Sequence, residues 1–171
     1  MSNWGLAIAY YYLDTDELEV DELHVISPQK MSDVKQVRQN SKDIRIAEQL
    51  IEGIIPHLDD ADLIIAEVPV GSQSSRSMVS YAMCVTIIAA INNSFLRVIE
   101  VTPGEVKMIV SKNATKQQMI AWATKKHPEA RWKYQKVKGK RSIVSGHAEH
   151  VSDAIGAVSY THLTLPTNRE V

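Results

Sequence analysis

Glu67 is the first residue whose type and position could support chemistry. It follows a short apolar run, Leu63–Ala66, which is flanked by acidic residues and predicts a buried strand. In open α/β sheets, ligands bind outside the carboxyl ends of the strands, so Glu67 stands where reactive groups are usually found. The alternative interpretation is a solvated carboxylate at a strand end, since charged side chains are mostly exposed.

A second group of candidate residues lies near the end of the chain. The segment Ser145–Val158 predicts a helix, because apolar residues recur there at i, i+3, i+4 and i+7: Val151, Ala154, Ile155 and Val158. His150 and Asp153 are three residues apart and therefore share a face at the border of that stripe. Glu149 and Asp153 are also neighbours on one face of this helix, on its more solvated side. Taken alone, this helix is equally well explained by a polar flank without a function.

The stretch between Lys125 and Arg141 is strongly basic. It carries eight Lys or Arg residues against one acid, Glu129, and Trp132 and Tyr134 are interleaved with them. Basic residues with aromatics are typical of nucleic-acid contacts, although a charge run is more often a solvated loop. Because the net charge of the whole chain is −1, any such role has to come from this local patch.

Strands and helices that would position these residues can be read along the chain. Trp4–Leu13 is rich in aromatic and β-branched residues, and Glu17–Ile26 alternates after it, which predicts a hairpin. Helical spacing covers Asp43–Leu58. A further strand and two helices follow in turn: Phe95–Val101, Val106–Val110 and Thr115–Lys125.

The segment Ser74–Ile91 is apolar on all sides of a predicted helix. An amphipathic surface helix has a polar face, so this helix must be covered both by its own sheet and by something else. A second helix of the same chain and a homodimer partner satisfy that requirement equally well.

Composition indicates one ordinary globular domain. The chain has 171 residues, of which 44% are hydrophobic and 23% charged, which suffices for a buried core. It has no run of eighteen apolar residues and no basic, apolar and cleavable N-terminal segment, so neither a membrane span nor a signal peptide is predicted. The single cysteine, Cys84, is expected to be a buried core residue, which suits a reducing cytoplasm.

The last residues break the pattern. Val158–Thr167, VSYTHLTLPT, alternates Thr, Leu and Pro where the helical stripe should continue. These ten residues resemble the translation of a transposase mosaic-end adaptor used in sequencing libraries. We therefore expect a native domain over residues 1–157 and a non-native tail over residues 158–171, which should pack against nothing.

Taken in order, the motifs resemble the RuvC-like Holliday-junction resolvases, an RNase H-like nuclease group, and most closely its phage-type members. The resemblance covers Ser2–Ala157. It rests on a strand like SNWGLAIAYY, on Glu67 in IIAEVPV, and on a late His-x-x-Asp at His150 and Asp153. Two lysines also match lysines near the family's active site, namely Lys107 in GEVK and Lys116 in NATKQQM.

This resemblance implies an α/β fold, an RNase H-like mixed sheet flanked by helices, and cleavage of four-way DNA junctions in recombination and repair. Glu67, His150 and Asp153 would be catalytic and would bind two Mg²⁺ ions roughly 4 Å apart, with Mn²⁺ as a substitute. Lys107 and Lys116 would bind nucleic acid by stabilising phosphate charge. Paired active sites favour a homodimer through the Ser74–Ile91 helix, in the cytoplasm of a bacterium or a phage-infected host.

The sequence departs from the family pattern at its beginning. The family's first strand, with its Asp-Pro-(Gly/Ser) turn, is absent before Ser2, so we expect a mixed sheet that is open beside Trp4–Leu13 and a chain that is inactive as it stands. Two alternatives follow from the same residues. One is a catalytically dead nucleic-acid-binding homologue, and the other is an RNase H-like nuclease acting on structured RNA.

Overall fold

The structure is a computed structural model that describes residues 3–29, 38–71, 73–94 and 96–164, with side chains up to His162. Within those ranges the chain is a mixture of helices and short strands, as predicted. The strands are β1 (Trp4–Tyr12), β2 (Glu17–Ile26), β3 (Ile64–Glu67), β4 (Val98–Val101), β5 (Tyr134–Val137) and β6 (Lys140–Ile143). The helices are α1 (Gln39–Ile54), α2 (Ser75–Asn93), α3 (Pro103–Met108), α4 (Lys116–Lys126) and α5 (Ser145–Thr164), with a 3₁₀ turn at Ile55–His57.

The predicted hairpin of β1 and β2 is present as an antiparallel pair. Its register shifts between Ile8 and Ala9, which leaves Asp21 of β2 as an extra residue. Such a bulge changes the alternation of a strand. It explains why Val20 and Leu23, three residues apart, are both buried in the core.

Strands β3 and β4 form a separate parallel pair, with Glu67 opposite Val101. Helix α2 is the crossover between them, as parallel strands require. Among the described residues, β1 and β3 are not hydrogen-bonded to each other. Each of these two strands therefore keeps one edge without a described partner, in agreement with a sheet that is open beside β1.

Helix α5 joins the two strand pairs. It packs against β1, β2 and β3 as well as against α3 and α4. Val151 and Ile155 belong to one cluster of buried residues with Val20 and Trp132. Ala157 belongs to a second cluster, in which it meets β4, α3 and α4 through Val101, Val106 and Met119. Val151 and Ile155 of the predicted stripe are thus in the core, whereas Ala154 and Val158 are only partly buried and the buried Ala157 lies off that stripe.

The prediction that the helix ends at Val158 and that the following residues pack against nothing is wrong for residues 159–162. Helix α5 continues to Thr164, Ser159 and Thr161 are buried, and Tyr160 packs on the second cluster. The ring of His162 meets Tyr11 edge-on, with centroids 4.7 Å apart. Thr161 tolerates burial because its Oγ1 donates a hydrogen bond to the carbonyl of Ala157 at 3.0 Å. The remaining tail residues, 165–171, lie outside the described residues.

Other differences concern helix boundaries. Helix α1 begins four residues before the predicted Asp43 and ends at Ile54, where Pro56 enters the 3₁₀ turn. A bidentate ion pair between Arg76 and Asp43 ties α2 to α1. In the part of the chain that the structure describes, no helix is both long and apolar enough to cross a bilayer.

Candidate active site

Glu67 is the last residue of β3 and lies half-buried at its carboxyl end. The ladder to β4 continues one residue beyond it, since the amide of Val68 donates to the carbonyl of Val101 at 2.8 Å. Burial raises the pKa of the Glu67 carboxyl to about 7, and the negative charge of Asp153 acts in the same direction. The positive charge of Lys107 opposes that rise. A carboxyl so placed is poised to exchange protons near neutrality or to bind a cation.

Asp153 approaches Glu67 from helix α5. Val151 and Ile155 are fully buried, which fixes the rotation of the helix and leaves Asp153 half-buried at the border of the core. Burial raises the pKa of Asp153, and the charge of Glu149 adds to that rise. His150, Lys107 and Lys116 act in the opposite direction. The helix therefore holds a second carboxyl whose charged form is disfavoured.

Lys107 stands on α3, close enough to shift the pKa of both carboxyls. Thr102 and Glu105 form a reciprocal capping box at the start of that helix. Val106, which is 1% exposed, anchors the helix in the core. The neighbouring Lys107 is therefore directed to the surface beside the two acids.

Lys116 is the first residue of α4, and its ammonium group is paired with Glu149 of α5. A capping box between Thr115 and Gln118 fixes the start of the helix. The Lys116 side chain is 71% exposed despite its partner, so it remains accessible to an anion. Glu149, considered only as a solvated neighbour of Asp153, is thus a member of the same charged group.

His150 is held where β1 crosses α5. Its Nε2 atom lies 3.4 Å from Nδ2 of Asn3. A Cβ atom on Gly5 would come within 2.0 Å of the main-chain oxygen of His150. Only glycine therefore permits this close approach of strand and helix.

Cys84 of α2 is a neighbour of the site that the sequence did not indicate. Burial raises the pKa of its thiol to about 11, and the charge of Glu67 contributes to the rise. The thiol is therefore protonated and unreactive beside the carboxyl. Since α2 is apolar on all sides, its sequence contains no signal for which face turns towards β3.

The five residues singled out from the sequence fall into one electrostatic neighbourhood: Glu67, Lys107, Lys116, His150 and Asp153. Among the residues that the structure describes, however, no group of three or more His, Cys, Asp or Glu side chains is arranged to hold a metal ion. Mg²⁺ is commonly held by one or two carboxylates, with waters and substrate phosphates completing its octahedron. Glu67 and Asp153 supply the number of carboxylates that one such cation uses, whereas the described residues do not by themselves form a site for two.

Comparison with known proteins places the fold. No protein-family model matches the chain, and no curated protein is similar to it in sequence. Among solved structures, the chain is similar to that of T. thermophilus RuvC in complex with a Holliday junction substrate. The TM-score is 0.56 at 13% identity, over 91% of this chain and 84% of that one. The chain thus has a RuvC-like, RNase H-like α/β fold, as its sequence motifs implied.

Proposed function

We propose that this protein is a divalent-cation-dependent endonuclease that cuts branched DNA at four-way junctions. The observation that carries the proposal is the packing of α5 against β3, which brings Asp153 close enough to Glu67, at the end of β3, to raise the pKa of that carboxyl. Both carboxyls are half-buried, and the charge of Asp153 raises the pKa of Glu67; a bound cation would relieve the cost of charging them. The RuvC-like fold supports the same choice, because the similar structure is one with a Holliday junction substrate.

Each residue has a role in this proposal. Glu67 and Asp153 would hold Mg²⁺, or Mn²⁺ in its place. The cation, when bound, supplies Lewis acidity and charge neutralisation for phosphodiester hydrolysis. His150, on the same helix as Asp153, would order the attacking water or complete the ligand set. Lys107 and Lys116 would bind the phosphate and stabilise its developing charge.

A second cation would need at least one more carboxylate than the described residues bring together. We propose that an Asp on a strand lying between β1 and β3 would supply it, because each of these strands has one edge that no described residue pairs with, and both pack on α5. Adding an Asp-bearing strand ahead of Asn3 tests this point. Cleavage should rise with the Asp, whereas the same strand carrying Asn should improve folding only.

Helix α2 supports a homodimer, which would place two active sites on one junction. Four of its residues fall on one stripe at i, i+4, i+7 and i+11, and all four are exposed: Met78, Ala82, Val85 and Ala89. An apolar stripe of this kind is typical of a surface that another chain covers. We place this dimer in the cytoplasm of a bacterium or a phage-infected host, acting in DNA recombination and repair.

A second candidate function is nucleic-acid binding without cleavage. The absence of a three-ligand metal group within the described ranges favours it, and the basic side chains would serve binding alone. An RNase H-like nuclease acting on structured RNA is a further outcome that the same assay detects, when an RNA junction replaces the DNA.

The test is cleavage of a synthetic four-way junction in Mg²⁺, compared with EDTA. Glu67→Gln and Asp153→Asn should each abolish cleavage yet retain junction binding, because Lys and Arg contacts to phosphates dominate affinity. Glu100→Gln is the matched control, since Glu100 is an exposed carboxylate on the neighbouring strand β4 and should leave cleavage unchanged. Full activity of Glu67→Gln would refute the assignment. Binding without any cleavage by the parent chain would favour the second candidate.

A further inference from the structure

The hairpin formed by β5 and β6 stands apart from the core. Seven of its eight strand residues are exposed, and only Ile143 is partly buried. The two strands pair with each other and with no other described strand. An isolated two-stranded hairpin is marginally stable in water, so burial of apolar surface does not account for this element.

The hairpin concentrates unpaired positive charge. Five cations lie on it or beside it, and no acid separates them: Lys133, Lys136, Lys138, Lys140 and Arg141. None of the five forms an ion pair with any described residue, whereas the nearby Arg131 is bound by Asp21 and Glu22. Trp132 is also excluded from this surface, because it is buried and its indole donates to the carbonyl of His127 at 2.8 Å. The exposed surface is therefore cationic, with Tyr134 as its aromatic residue.

The register brings like charges together. Lys136 lies directly opposite Arg141, so both project from one face, which they share with Tyr134. Like charges in such cross-strand pairs are destabilising. The Arg141 guanidinium is instead stacked on Tyr134, with Cζ 3.7 Å from the ring centroid, an arrangement that presents a flat cationic surface.

The turn of the hairpin also carries a positive charge at a position where lysine is unfavourable. Lys138 and Gly139 both have positive φ, 49° and 77°, as a type I′ turn requires. Asn-Gly or Asp-Gly is the usual sequence there, and a lysine in the left-handed region is strained. An anion bound to the hairpin would relieve the repulsion between Lys136 and Arg141. It would also give a reason for a charged residue, rather than Asn or Asp, at the strained position of Lys138.

We propose that the β5–β6 hairpin is a ribbon that binds the phosphate backbone of a duplex DNA arm, an inference that rests on the proposed function for its choice of DNA. Its base leads directly into α5, and Ser145 and Asp153 are about 12 Å apart along that helix at 1.5 Å per residue. Duplex DNA carries one charge per roughly 1.7 Å of its axis. One arm can therefore lie on the hairpin while its end reaches the carboxyls.

Lys138→Asn is the sharpest test, because it removes one charge while restoring the favoured Asn-Gly turn. The melting temperature should stay equal or rise. Affinity for a labelled linear duplex, measured by fluorescence anisotropy at several salt concentrations, should fall, and the salt slope should decrease by roughly one. The double variant Lys136→Gln/Lys138→Asn should decrease it by roughly two. Arg97→Gln is the control for charge, since Arg97 is exposed at the opposite end of β4 from the candidate site and should leave the slope unchanged.

Several outcomes would overturn the inference. One is an unchanged salt slope of duplex binding in the double variant, and another is a loss of affinity in Arg97→Gln equal to that in the hairpin variants. The others are no duplex binding by the parent chain, or hairpin-dependent binding to double-stranded RNA or phosphatidylserine vesicles but not to DNA. Failure of the proposed function looks different. In that case the hairpin variants still weaken duplex binding, while the parent chain cuts no junction in Mg²⁺.

Discussion

Glu67 and Asp153 come from distant parts of the chain, yet both are half-buried and the charge of Asp153 raises the pKa of Glu67. Burial is the first cause of the raised pKa of both groups, and Lys107 only partly offsets it. The pair is therefore least stable when both acids are charged and no cation is present. That property can be measured without any knowledge of the substrate.

The first prediction concerns pH. The folded protein holds the Glu67 proton up to a pKa of about 7, whereas the unfolded chain releases it near the ordinary value of about 4.3. The folded state therefore binds more protons between these values, and stability should fall as pH rises from about 4.3 to about 7. Glu67→Gln should flatten this decline when unfolding is measured in EDTA. Glu100→Gln should not, and an identical pH profile for the Glu67 variant would contradict the assignment.

The second prediction concerns the α2 stripe. Val85→Glu would place a charge in the proposed dimer interface, where an uncompensated buried charge costs roughly 3–5 kcal/mol. Sedimentation should show a dimer for the parent chain and a monomer for this variant. Ala90→Glu, at an exposed position about 140° away around the helix by its 3.6-residue repeat, should remain dimeric. A monomeric parent chain at micromolar concentration would rule the dimer out.

The third prediction concerns the crossing of β1 and α5. Gly5→Ala would force a Cβ atom against the main chain of His150, and overpacking of this kind costs about 1–3 kcal/mol. Denaturant unfolding should show the loss. Gly146→Ala, a site with open space around its Cβ at the start of α5, should be neutral or stabilising. Equal effects of the two substitutions would show that the close contact carries no energy.

The fourth prediction concerns the end of α5. Tyr160→Ala should lower stability by about 1–3 kcal/mol, because the ring packs on the second core cluster. Tyr160→Phe retains the ring and should recover most of that loss. If both variants melt at the same temperature as the parent chain, Tyr160 contributes no packing energy, as the sequence had predicted for the tail.

The fold was predictable where side-chain periodicity was strong. The aromatic and β-branched content of β1, the alternation of β2 and the helical spacing of α5 predicted elements that the structure confirms. The motifs taken together, Glu67 among them, led to the correct fold class. The proximity of Glu67 and Asp153 also agrees with the sequence prediction. Reactive groups gather at strand ends, and α5, which carries Asp153, packs against β3, which ends at Glu67.

Other features depend on tertiary contacts that no local pattern contains. The Asp21 bulge arises from pairing with β1, and the position of Cys84 beside Glu67 depends on how α2 rotates. The burial of Ser159 and Thr161 was not predicted because the sequence after Val158 resembles an adaptor translation and was expected to form a non-native tail. Only the packing of α5 shows that their hydroxyls lie inside the core.

The ion pair between Lys116 and Glu149 has a consequence for selectivity. If a phosphate binds the exposed Lys116 as proposed, it competes with the Glu149 carboxylate already paired with that lysine, and full occupation exchanges one anion for the other. The displaced Glu149 then adds its charge to the surroundings of Asp153, whose pKa it already raises. Binding of a substrate phosphate at Lys116 should therefore increase the affinity of the Glu67 and Asp153 carboxyls for a cation.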